Sequence, residues 1–211
     1  MILRGQEVEL YDTEEQQVEA IKDWWKENGK AVIFGAVIGL GGLFGWRYYQ
    51  DSTIAAQEAA SEHYTKAVET LAATGAEAEQ QVQSFIDANG DTEYAVLAAL
   101  QLAKVQVEAN QLDAAIEQLQ WATTASKDQA LLAVINYRLA RLQAEQGKFE
   151  GAIAQLDKIT DDGWQGRVDE LKGDILLRKG DVEGAYAAYT EAQQSGDASE
   201  ALQMKLDDLA K

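Results

Sequence analysis

Apolar residues recur at the spacing of one α-helix face, i, i+3, i+4 and i+7, along the C-terminal half of the chain. No alternating strand pattern interrupts them, so the spacing predicts three helices of one repeated type. The first stripe comprises Leu112, Ala115, Ile116, Leu119 and Ala122. The second begins 37 residues later and comprises Phe149, Ala152, Ile153, Leu156 and Ile159. The third begins after a further 33 residues and comprises Val182, Ala185, Tyr186, Tyr189 and Ala192.

A turn and a partner helix precede each of these helices. The turns are Asn110-Gln111, Gly147-Lys148 and Gly180-Asp181. Asn or Gly there favours a left-handed helix end. The partner helices share a small residue at one offset, namely Ala103, Ala140 and Gly173. The second position of each stripe-bearing helix is acidic, namely Asp113, Glu150 and Glu183. A period of about 34 residues with these features resembles the tetratricopeptide repeat, although its closing proline and an early aromatic residue are missing.

Helices are also predicted on both sides of the three units. Ile54–Ala73 and Glu77–Ala88 are expected to form an antiparallel pair. Asp197, with Glu200 three residues later, is typical of a helix start and predicts a last helix that runs to Ala210. Its apolar stripe consists of Leu202, Leu206 and Leu209. That stripe would cover the end of the array, because terminal repeats need a cap.

An uncharged, glycine-rich segment, AVIFGAVIGLGGLFGW, occupies residues 31–46. It spans about 24 Å as a helix, slightly less than the ~30 Å of a bilayer core. Its aromatic and basic flanks are Trp24, Trp25, Lys30, Trp46, Arg47, Tyr48 and Tyr49. Such flanks extend a span to the interfaces, and membrane helices tolerate glycine well. The sequence predicts an all-α protein with an N-terminal tail (residues 1–30), one transmembrane helix (31–50) and a tetratricopeptide-like α-solenoid (51–211).

The apolar segment is expected to stay attached as a signal anchor. A signal peptide starts with a short basic region, whereas residues 1–30 contain eight acidic side chains, and bulky residues occupy the potential cleavage site. The basic residues near the span are Lys22, Lys26 and Lys30 before it, and Arg47 and Lys66 after it. This small excess favours a cytoplasmic N-terminus and an exported C-terminal domain, which is a single-pass type II topology.

Two pairs of glycines in the span are spaced four residues apart. They are Gly35 with Gly39, and Gly41 with Gly45. Small residues at this spacing let two membrane helices approach closely, so these four positions are the predicted packing surface of the span. The spacing leaves open whether the partner helix belongs to another protein or to a second copy of the chain.

A short amphipathic helix is predicted before the span. Thr13 with Gln16 matches a capping box, and Asn28-Gly29 is a favourable helix stop. Its apolar stripe consists of Val18, Ile21, Trp24 and Trp25. The simplest role for such a helix is to lie flat on the inner leaflet, and the alternative is a docking motif for a cytoplasmic protein.

Charge and composition exclude several function classes. The formal net charge is −18, so a phosphate backbone would be repelled and nucleic-acid binding is excluded. There is no cysteine, and the single histidine, His63, has no second histidine or acidic cluster beside it. Asp161-Asp162-Gly163 is a turn, because it lacks the alternating ligands of a calcium loop. We therefore expect no catalytic residue, metal site or cofactor.

Recognition by shape is the remaining function for a repeat array. In tetratricopeptide arrays the first helix of each pair lines the concave face, which here gives a predicted groove. Its residues would be Leu97, Leu100, Lys104, Val107, Val134, Tyr137, Arg141, Glu170, Asp174 and Leu177. This mixed lining suits loosely specific contact with peptide segments, and it lacks the basic cluster that grips an acidic C-terminus. The alternative for the apolar members is packing between repeats.

The order of parts resembles the YfgM family over nearly the whole chain. The matching segments are Thr13–Lys30, the glycine-rich span, Gly45–Gln50, Tyr94–Lys104, Ile135–Gln143, Gly163-Trp164 and Gln203–Leu209. The resemblance implies an inner-membrane protein of Gram-negative bacteria that is an ancillary, non-enzymatic subunit of the SecYEG translocon. It also implies partnership with the periplasmic chaperone PpiD and contact with exported polypeptides as part of the periplasmic chaperone network.

Two other functions stay open at this point. One is a membrane adaptor whose acidic N-terminal tail regulates a stress-response signalling protein, since residues 1–29 are long for a simple anchor. The other is a scaffold for envelope assembly, because related repeat arrays serve such machinery.

Overall fold

The computed structural model describes residues 14–196 and 199–209, with side chains from Gln17 onward, and all regular structure in these ranges is helical. The α-helices are α1 (Glu14–Thr74), α2 (Glu79–Ala88), α3 (Glu93–Glu108), α4 (Leu112–Ala125), α5 (Gln129–Glu145), α6 (Phe149–Leu156), α7 (Gln165–Lys179), α8 (Val182–Gln193) and α9 (Leu202–Leu209). Two 3₁₀ turns, Gly75–Ala78 and Asp162–Trp164, lie before α2 and α7. The predicted all-α fold is confirmed.

The chain divides between Gln57 and Glu58 into two compact units. In the first unit, the apolar side chains of the predicted span point away from other protein atoms; Phe34 and Ile38, for example, are 69% and 72% exposed. Among the described residues, one helix is long and apolar enough to cross a membrane, and only 6% of its most apolar window is buried. A buried core helix would show the opposite pattern, so these side chains need lipid or another protein around them.

Pairs of aromatic rings mark both ends of this apolar segment. Trp24 and Trp25 lie with ring centroids 6.5 Å apart, and Trp46 and Tyr49 with centroids 6.3 Å apart. From Trp25 to Trp46 the helix rises about 31 Å, which matches the ~30 Å of a hydrocarbon core. The two aromatic pairs are therefore spaced to sit at opposite membrane interfaces.

The prediction that the first helix ends at Asn28-Gly29 is wrong, because α1 continues through both residues. Asn28 Nδ2 donates to the carbonyl oxygen of Trp24 one turn earlier, at 3.0 Å, instead of capping a helix end. A Cβ atom at Gly29 would lie 3.2 Å from the Trp25 ring, so this glycine makes room for an indole. Thr13, the predicted start of this helix, lies outside the described residues.

The second unit stacks three helix pairs, α3–α4, α5–α6 and α7–α8, after a first pair formed by the end of α1 and α2. The Tyr64 ring lies 6.5 Å from the Phe85 ring and 5.7 Å from the Tyr94 ring. The Tyr64–Phe85 contact shows that the chain reverses at the 3₁₀ turn after α1 and brings α2 back to its end. Val82 and Ile86 on α2 are fully buried in the same apolar cluster.

The turn inside each pair repeats in three dimensions. Asn110, Gly147 and Gly180 have φ angles of 59°, 74° and 90°, which confirms the predicted left-handed positions. The next amide in each turn donates to a carbonyl five residues earlier, as in Gln111 to Gln106 at 2.7 Å. The equivalent distances in the second and third turns are 2.8 Å and 2.9 Å. This is the Schellman arrangement, and it fixes the same reversal of chain direction in all three units.

Ten of the fifteen residues in the three predicted stripes are buried in the core of the second unit. Ala115, Leu119 and Ala122 in the first stripe are buried, as are Ala152 and Leu156 in the second. Ile159 is also buried, although α6 ends before it. In the third stripe, Ala185, Tyr189 and Ala192 are buried, whereas Val182 and Tyr186 are 49% and 47% exposed.

In the third pair, a tyrosine ring on the facing helix determines that the small residue is glycine, Gly173. A Cβ atom at Gly173 would lie 2.4 Å from the Cδ1 and Cε1 atoms of Tyr189. The first two pairs place alanine at this position, with Ala103 and Ala140 buried. Glycine replaces alanine in the third pair because a fully buried tyrosine fills the space of the methyl group.

The last helix is held to α7 by a partly buried network of charged groups. Lys205 Nζ lies 2.9 Å from Glu170 Oε1 and 2.6 Å from Asp174 Oδ1. The Tyr189 hydroxyl donates to Asp174 at 2.7 Å. The backbone amide of Ser199 donates to Glu170 at 2.8 Å, and its hydroxyl donates to the same carboxylate. Leu202 and Leu206 are buried beside Tyr189, as the predicted cap requires.

The predicted start of this helix is wrong, since Ser199 and Glu200 are not helical and α9 begins at Leu202. Asp197 and Ala210 lie outside the described residues. Ser199 is held by the Glu170 carboxylate instead of joining a helical turn.

The network moves the pKa values of its members in the directions that stabilise the folded chain. Burial opposes ionisation of Glu170, but hydrogen bonds from Ser199 and Lys205 outweigh it and hold the pKa of Glu170 below its usual range. Burial likewise opposes the charge on Lys205, and the two carboxylates outweigh it and raise the pKa of Lys205. Burial and the bond to Asp174 raise the pKa of the Tyr189 hydroxyl, which stays protonated.

We expect Gly173→Ala to destabilise the chain by about 1–3 kcal/mol, because the added methyl group overlaps the Tyr189 ring. The measurement is thermal unfolding of the full chain in detergent micelles, followed by circular dichroism. The matched control is Gly151→Ala, whose Cβ would approach only the flexible end of Gln143, at 3.1 Å. That variant should stay within about 1 kcal/mol of the parent. Equal melting of the two variants would contradict the packing account.

We expect Glu170→Gln to lower stability at pH 7 by about 1.5–3 kcal/mol, because charged hydrogen bonds to Ser199 and Lys205 are lost. The folded-state pKa of Glu170 is lowered, so its contribution is present above a pH of about 4.5 and is lost as pH falls through the folded-state value. The melting temperature of the parent should therefore fall more steeply than that of Glu170→Gln below this pH. Glu117→Gln, at an exposed carboxylate on α4, is the control and should follow the parent.

Candidate functional site

Three adjoining cavities run along one side of the second unit. The first lies between the end of α1 and α3 and has a volume of about 480 Å³. The second, also about 480 Å³, lies between α3 and α5, and the third, about 380 Å³, lies between α5 and α7. Lys104 and Glu108 line both the first and the second, and Arg141 and Glu145 line both the second and the third. The shared residues place the three cavities side by side, and together we call them the groove.

Stacking of the helix pairs places α3, α5 and α7 side by side, and these helices supply most of the groove. Its apolar lining in the second and third cavities consists of Leu100, Ala103, Val107, Leu112, Leu119, Leu142, Ala144, Leu171, Ile175 and Leu177. Val107 and Leu177 are 38% and 39% exposed. Six of the other eight are buried. The floor is therefore apolar and opens to solvent at Val107 and Leu177, where it can bury apolar side chains of a bound segment.

Charged side chains border this floor, and most of them are paired within the groove wall. Lys104 lies 3.7 Å from Glu108, and Arg178 lies 3.0 Å from Glu145. Asp174 is bound by Lys205 of the network described above. All three lining carboxylates thus have a cationic partner.

Two guanidinium groups in the middle of the groove have no such partner. Arg138 and Arg141 line the second cavity, and neither forms an ion pair within 4 Å among the described residues. Both side chains are exposed. The centre of the groove therefore has unpaired positive charge, although residues 50–211 have a net charge of −15. This arrangement favours ligands that combine apolar side chains with carboxylates.

Four cationic side chains line the groove, namely Lys104, Arg138, Arg141 and Arg178, and two of them are paired with carboxylates of the groove wall. The expectation that the groove lacks a basic cluster to grip an acidic C-terminus stays a prediction. Sequence reasoning missed Arg138 and Arg178 because it selected only positions that flank the small residue of each helix. The signal was present on α5, where Arg138, Leu142 and Glu145 recur at i, i+4 and i+7 and share one helix face.

The structure brings six of the ten predicted groove residues to the groove. These are Leu100, Lys104, Val107, Arg141, Asp174 and Leu177. The other four do not line any of the three cavities. Leu97 packs against the apolar core, and Val134 is half-buried on α5. Glu170 is buried in the network that holds α9.

Tyr137 is the fourth residue outside the groove lining. Its ring centroid lies 5.5 Å from that of Trp164, and both rings pack on the cluster between α5 and α7. Burial raises the pKa of the Tyr137 hydroxyl, and the nearby Arg141 guanidinium partly opposes that rise. Tyr137 therefore stabilises the joint between two repeats beside the groove.

The four glycines of the predicted packing surface lie in the first unit. A Cβ atom at Gly35, Gly39, Gly41 or Gly45 would meet no other atom within 4 Å. Nothing inside this helix requires glycine at these positions, so larger residues would fit sterically within the chain itself.

The described residues hold no grouping of three His, Asp or Glu side chains that could bind a metal ion. His63, on α1, is exposed.

Comparison with known proteins gives the family. A profile of the tetratricopeptide repeat-like domain family matches residues 22–211. A protein of Escherichia coli (strain K12) named "Ancillary SecYEG translocon subunit" is 38% identical over 96% of this chain and 100% of its own length. Proteins of the same name in Haemophilus influenzae and Aggregatibacter actinomycetemcomitans are 35% and 37% identical, each over 93% of this chain and 97% of the relative.

Solved structures share the fold at low sequence identity. A structure described as "Functional Characterization of Pseudomonas Aeruginosa pilF" superposes with a TM-score of 0.57 and 16% identity, over 72% of this chain and 68% of that one. The crystal structure of MamA superposes with a TM-score of 0.54 and 18% identity, over 77% of this chain and 88% of that one. These likenesses show the tetratricopeptide-like fold alone.

The predicted family and architecture are confirmed by these matches. The architecture of the family is a non-catalytic one for protein interaction, so the expectation of a non-enzymatic protein is also confirmed. The chain belongs to the family of ancillary SecYEG translocon subunits, and its residues 22–211 match the tetratricopeptide repeat-like domain family.

Proposed function

We propose that the chain is an ancillary subunit of a SecYEG translocon that contacts exported polypeptides on the periplasmic side of the inner membrane. The observation that carries the proposal is the 35–38% identity, over nearly the full length, to three proteins named for that role. The candidate span and the groove support it, because the role requires a membrane attachment and a surface for polypeptides.

The proposed topology is a cytoplasmic N-terminus and a periplasmic repeat domain. Lys22, Lys26 and Lys30 precede the apolar segment, and Arg47 follows it directly, which favours retention of the N-terminal side in the cytoplasm. The repeat domain has a net charge of −15, so anionic lipid headgroups repel it. Its position then depends on the span and on protein contacts.

Exported chains are proposed as the ligands of the groove. A polypeptide that emerges from a translocon is unfolded and presents apolar side chains at irregular intervals. The open apolar floor can take such side chains without selecting one sequence, and Arg138 and Arg141 add a preference for segments that carry carboxylates. Weak, reversible contact of this kind suits a factor in the periplasmic chaperone network. A PpiD-type chaperone is the proposed neighbour, on the resemblance to the YfgM family.

The glycines of the span are the proposed contact with a translocon subunit or PpiD, or with a second copy of the chain. Their surroundings inside the chain are empty within 4 Å, so a neighbouring helix could approach the backbone closely.

We expect the double variant Arg138→Glu with Arg141→Glu to bind acidic, apolar peptides about tenfold more weakly, a change of about 1.4 kcal/mol. The measurement is fluorescence anisotropy with the full chain in micelles and two labelled peptides, in which leucine alternates with glutamate or with lysine. The parent should prefer the glutamate peptide, and the variant should prefer the lysine peptide.

The matched control is Lys127→Glu with Lys158→Glu, which makes the same charge change at exposed positions that line none of the cavities. It should keep the parent's preference. A parent that binds both peptides equally, or a control that changes as much as the groove variant, would contradict the assignment of Arg138 and Arg141.

We expect Gly39→Leu with Gly41→Leu to leave the chain inserted and folded but to reduce its co-purification with translocon subunits after mild detergent extraction. Leucine makes the span more apolar, while its side chain keeps a partner helix away from the backbone. Ala36→Leu, at a small residue outside both glycine pairs, should co-purify as the parent does. If the double variant associates as well as the parent, the glycines are not a contact surface.

A further inference from the structure

The joints between successive helix pairs are built alike. In the first joint, α5 covers the start of α4, where Leu112 is half-buried and Ile116 is 7% exposed. In the second, α7 covers the start of α6, where Phe149 and Ile153 are half-buried against the cluster that includes Leu171 and Ile175. Each covered helix thus places apolar side chains at its first and fifth positions under the next helix.

A polar contact repeats at the same two joints. Gln146, at the end of α5, donates to Asp113 at 2.7 Å, and Lys179, at the end of α7, donates to Glu150 at 2.6 Å. Asp113 and Glu150 are both the second residue of the covered helix. The covering helix therefore runs antiparallel to the covered one, and its C-terminal end supplies the donor. The bond from Lys179 also lowers the pKa of Glu150.

The start of α8 presents the same three positions without a covering helix. Val182 and Tyr186, the first and fifth residues, are 49% and 47% exposed. Glu183, the second residue, is exposed and forms no ion pair or side-chain hydrogen bond in the part of the chain that the structure describes. We define Val182, Glu183 and Tyr186 as the end surface.

Helix α9, as far as the structure describes it, leaves the end surface open. It has 8 residues, whereas α5 and α7 have 17 and 15. It packs on the face of α8 that carries Ala185, Tyr189 and Ala192, against Leu202 and Leu206. Val182 and Tyr186 lie beside that face and stay exposed.

We propose that the end surface docks an amphipathic helix of another protein, antiparallel to α8, with a lysine or arginine in the last turn of that helix bound to Glu183. The two joints inside the chain indicate what this helix carries, because they show which side chains of a covering helix contact the same three positions. Apolar residues of the docked helix cover Val182 and Tyr186, and its basic residue takes the place that Lys179 occupies at Glu150.

Charge argues against a second copy of this chain as the occupant. A symmetric dimer through the end surface would set Glu183 near its own equivalent, in repeat domains (residues 51–211) that each have a net charge of −15. The partner is therefore a different protein with a basic helix end. The end surface is also separate from the groove, whose lining contains none of its three residues.

The test places a photo-reactive phenylalanine analogue at position 182 of the full chain in its own membranes, and the crosslinked segment is identified by mass spectrometry. We expect one segment of another protein with helical apolar spacing and a lysine or arginine in its last turn. Glu183→Lys should reduce the crosslink about tenfold, and Glu183→Gln should reduce it less. Changing the captured basic residue to glutamate should restore the crosslink in Glu183→Lys.

The matched control is Glu191→Lys, which makes the same charge change at an exposed position about 12 Å further along α8. It should crosslink as the parent does, and so should the groove variant Arg138→Glu with Arg141→Glu. Thermal unfolding checks that each variant is folded. Capture of a second copy, capture of no polypeptide, or equal loss in Glu183→Lys and Glu191→Lys would each overturn the proposal.

Discussion

Burial of each second helix by the next helix pair is the interaction on which the second unit depends. A single pair leaves an apolar stripe in water, and the stripe of α4 is buried between α3 of its own pair and α5 of the next. The same step repeats from α6 to α7. Because each step adds a first helix beside the previous one, α3, α5 and α7 form one wall, and the groove is a consequence of the stacking.

Where the stacking stops, other interactions replace it. The Tyr189 ring, which fills the space of a missing Cβ at Gly173, is buried on its other side by α9. Lys205 forms ion pairs with Glu170 and Asp174. At the last joint these ion pairs supply part of the contact between helices that apolar packing supplies at the other joints. Since Asp174 also lines the groove, the cap and one end of the groove share a residue.

Much of the fold follows from local patterns that the sequence displays. The left-handed residues Asn110, Gly147 and Gly180 were predictable because glycine and asparagine adopt positive φ at little cost. The burial of the stripes was predictable because it depends on spacing alone. The helix stop predicted at Asn28-Gly29 was wrong because a glycine can have two roles there. It can end a helix, or it can make room for an indole inside one, and only the position of the Trp25 side chain distinguishes these roles.

The charges of the groove were less predictable than its floor. Lys104 and Arg141 lie beside small residues that mark the inner face of each first helix, and they were found. Arg138 and Arg178 reach the groove from positions that the repeat pattern does not mark. Contacts between helices determine which cations stay unpaired. One such contact joins Arg178 to Glu145, which are 33 residues apart in sequence. Such pairing is a property of the assembled array.

The central claim is that the groove meets polypeptides as they leave the translocon. The most direct measurement is photo-crosslinking from position 107 in the groove to an exported protein stalled during translocation in intact membranes. The account predicts a crosslink from position 107 to the stalled chain, and none from position 117 on the exposed face of α4. Equal crosslinking from both positions, or a crosslink from position 117 alone, would contradict it.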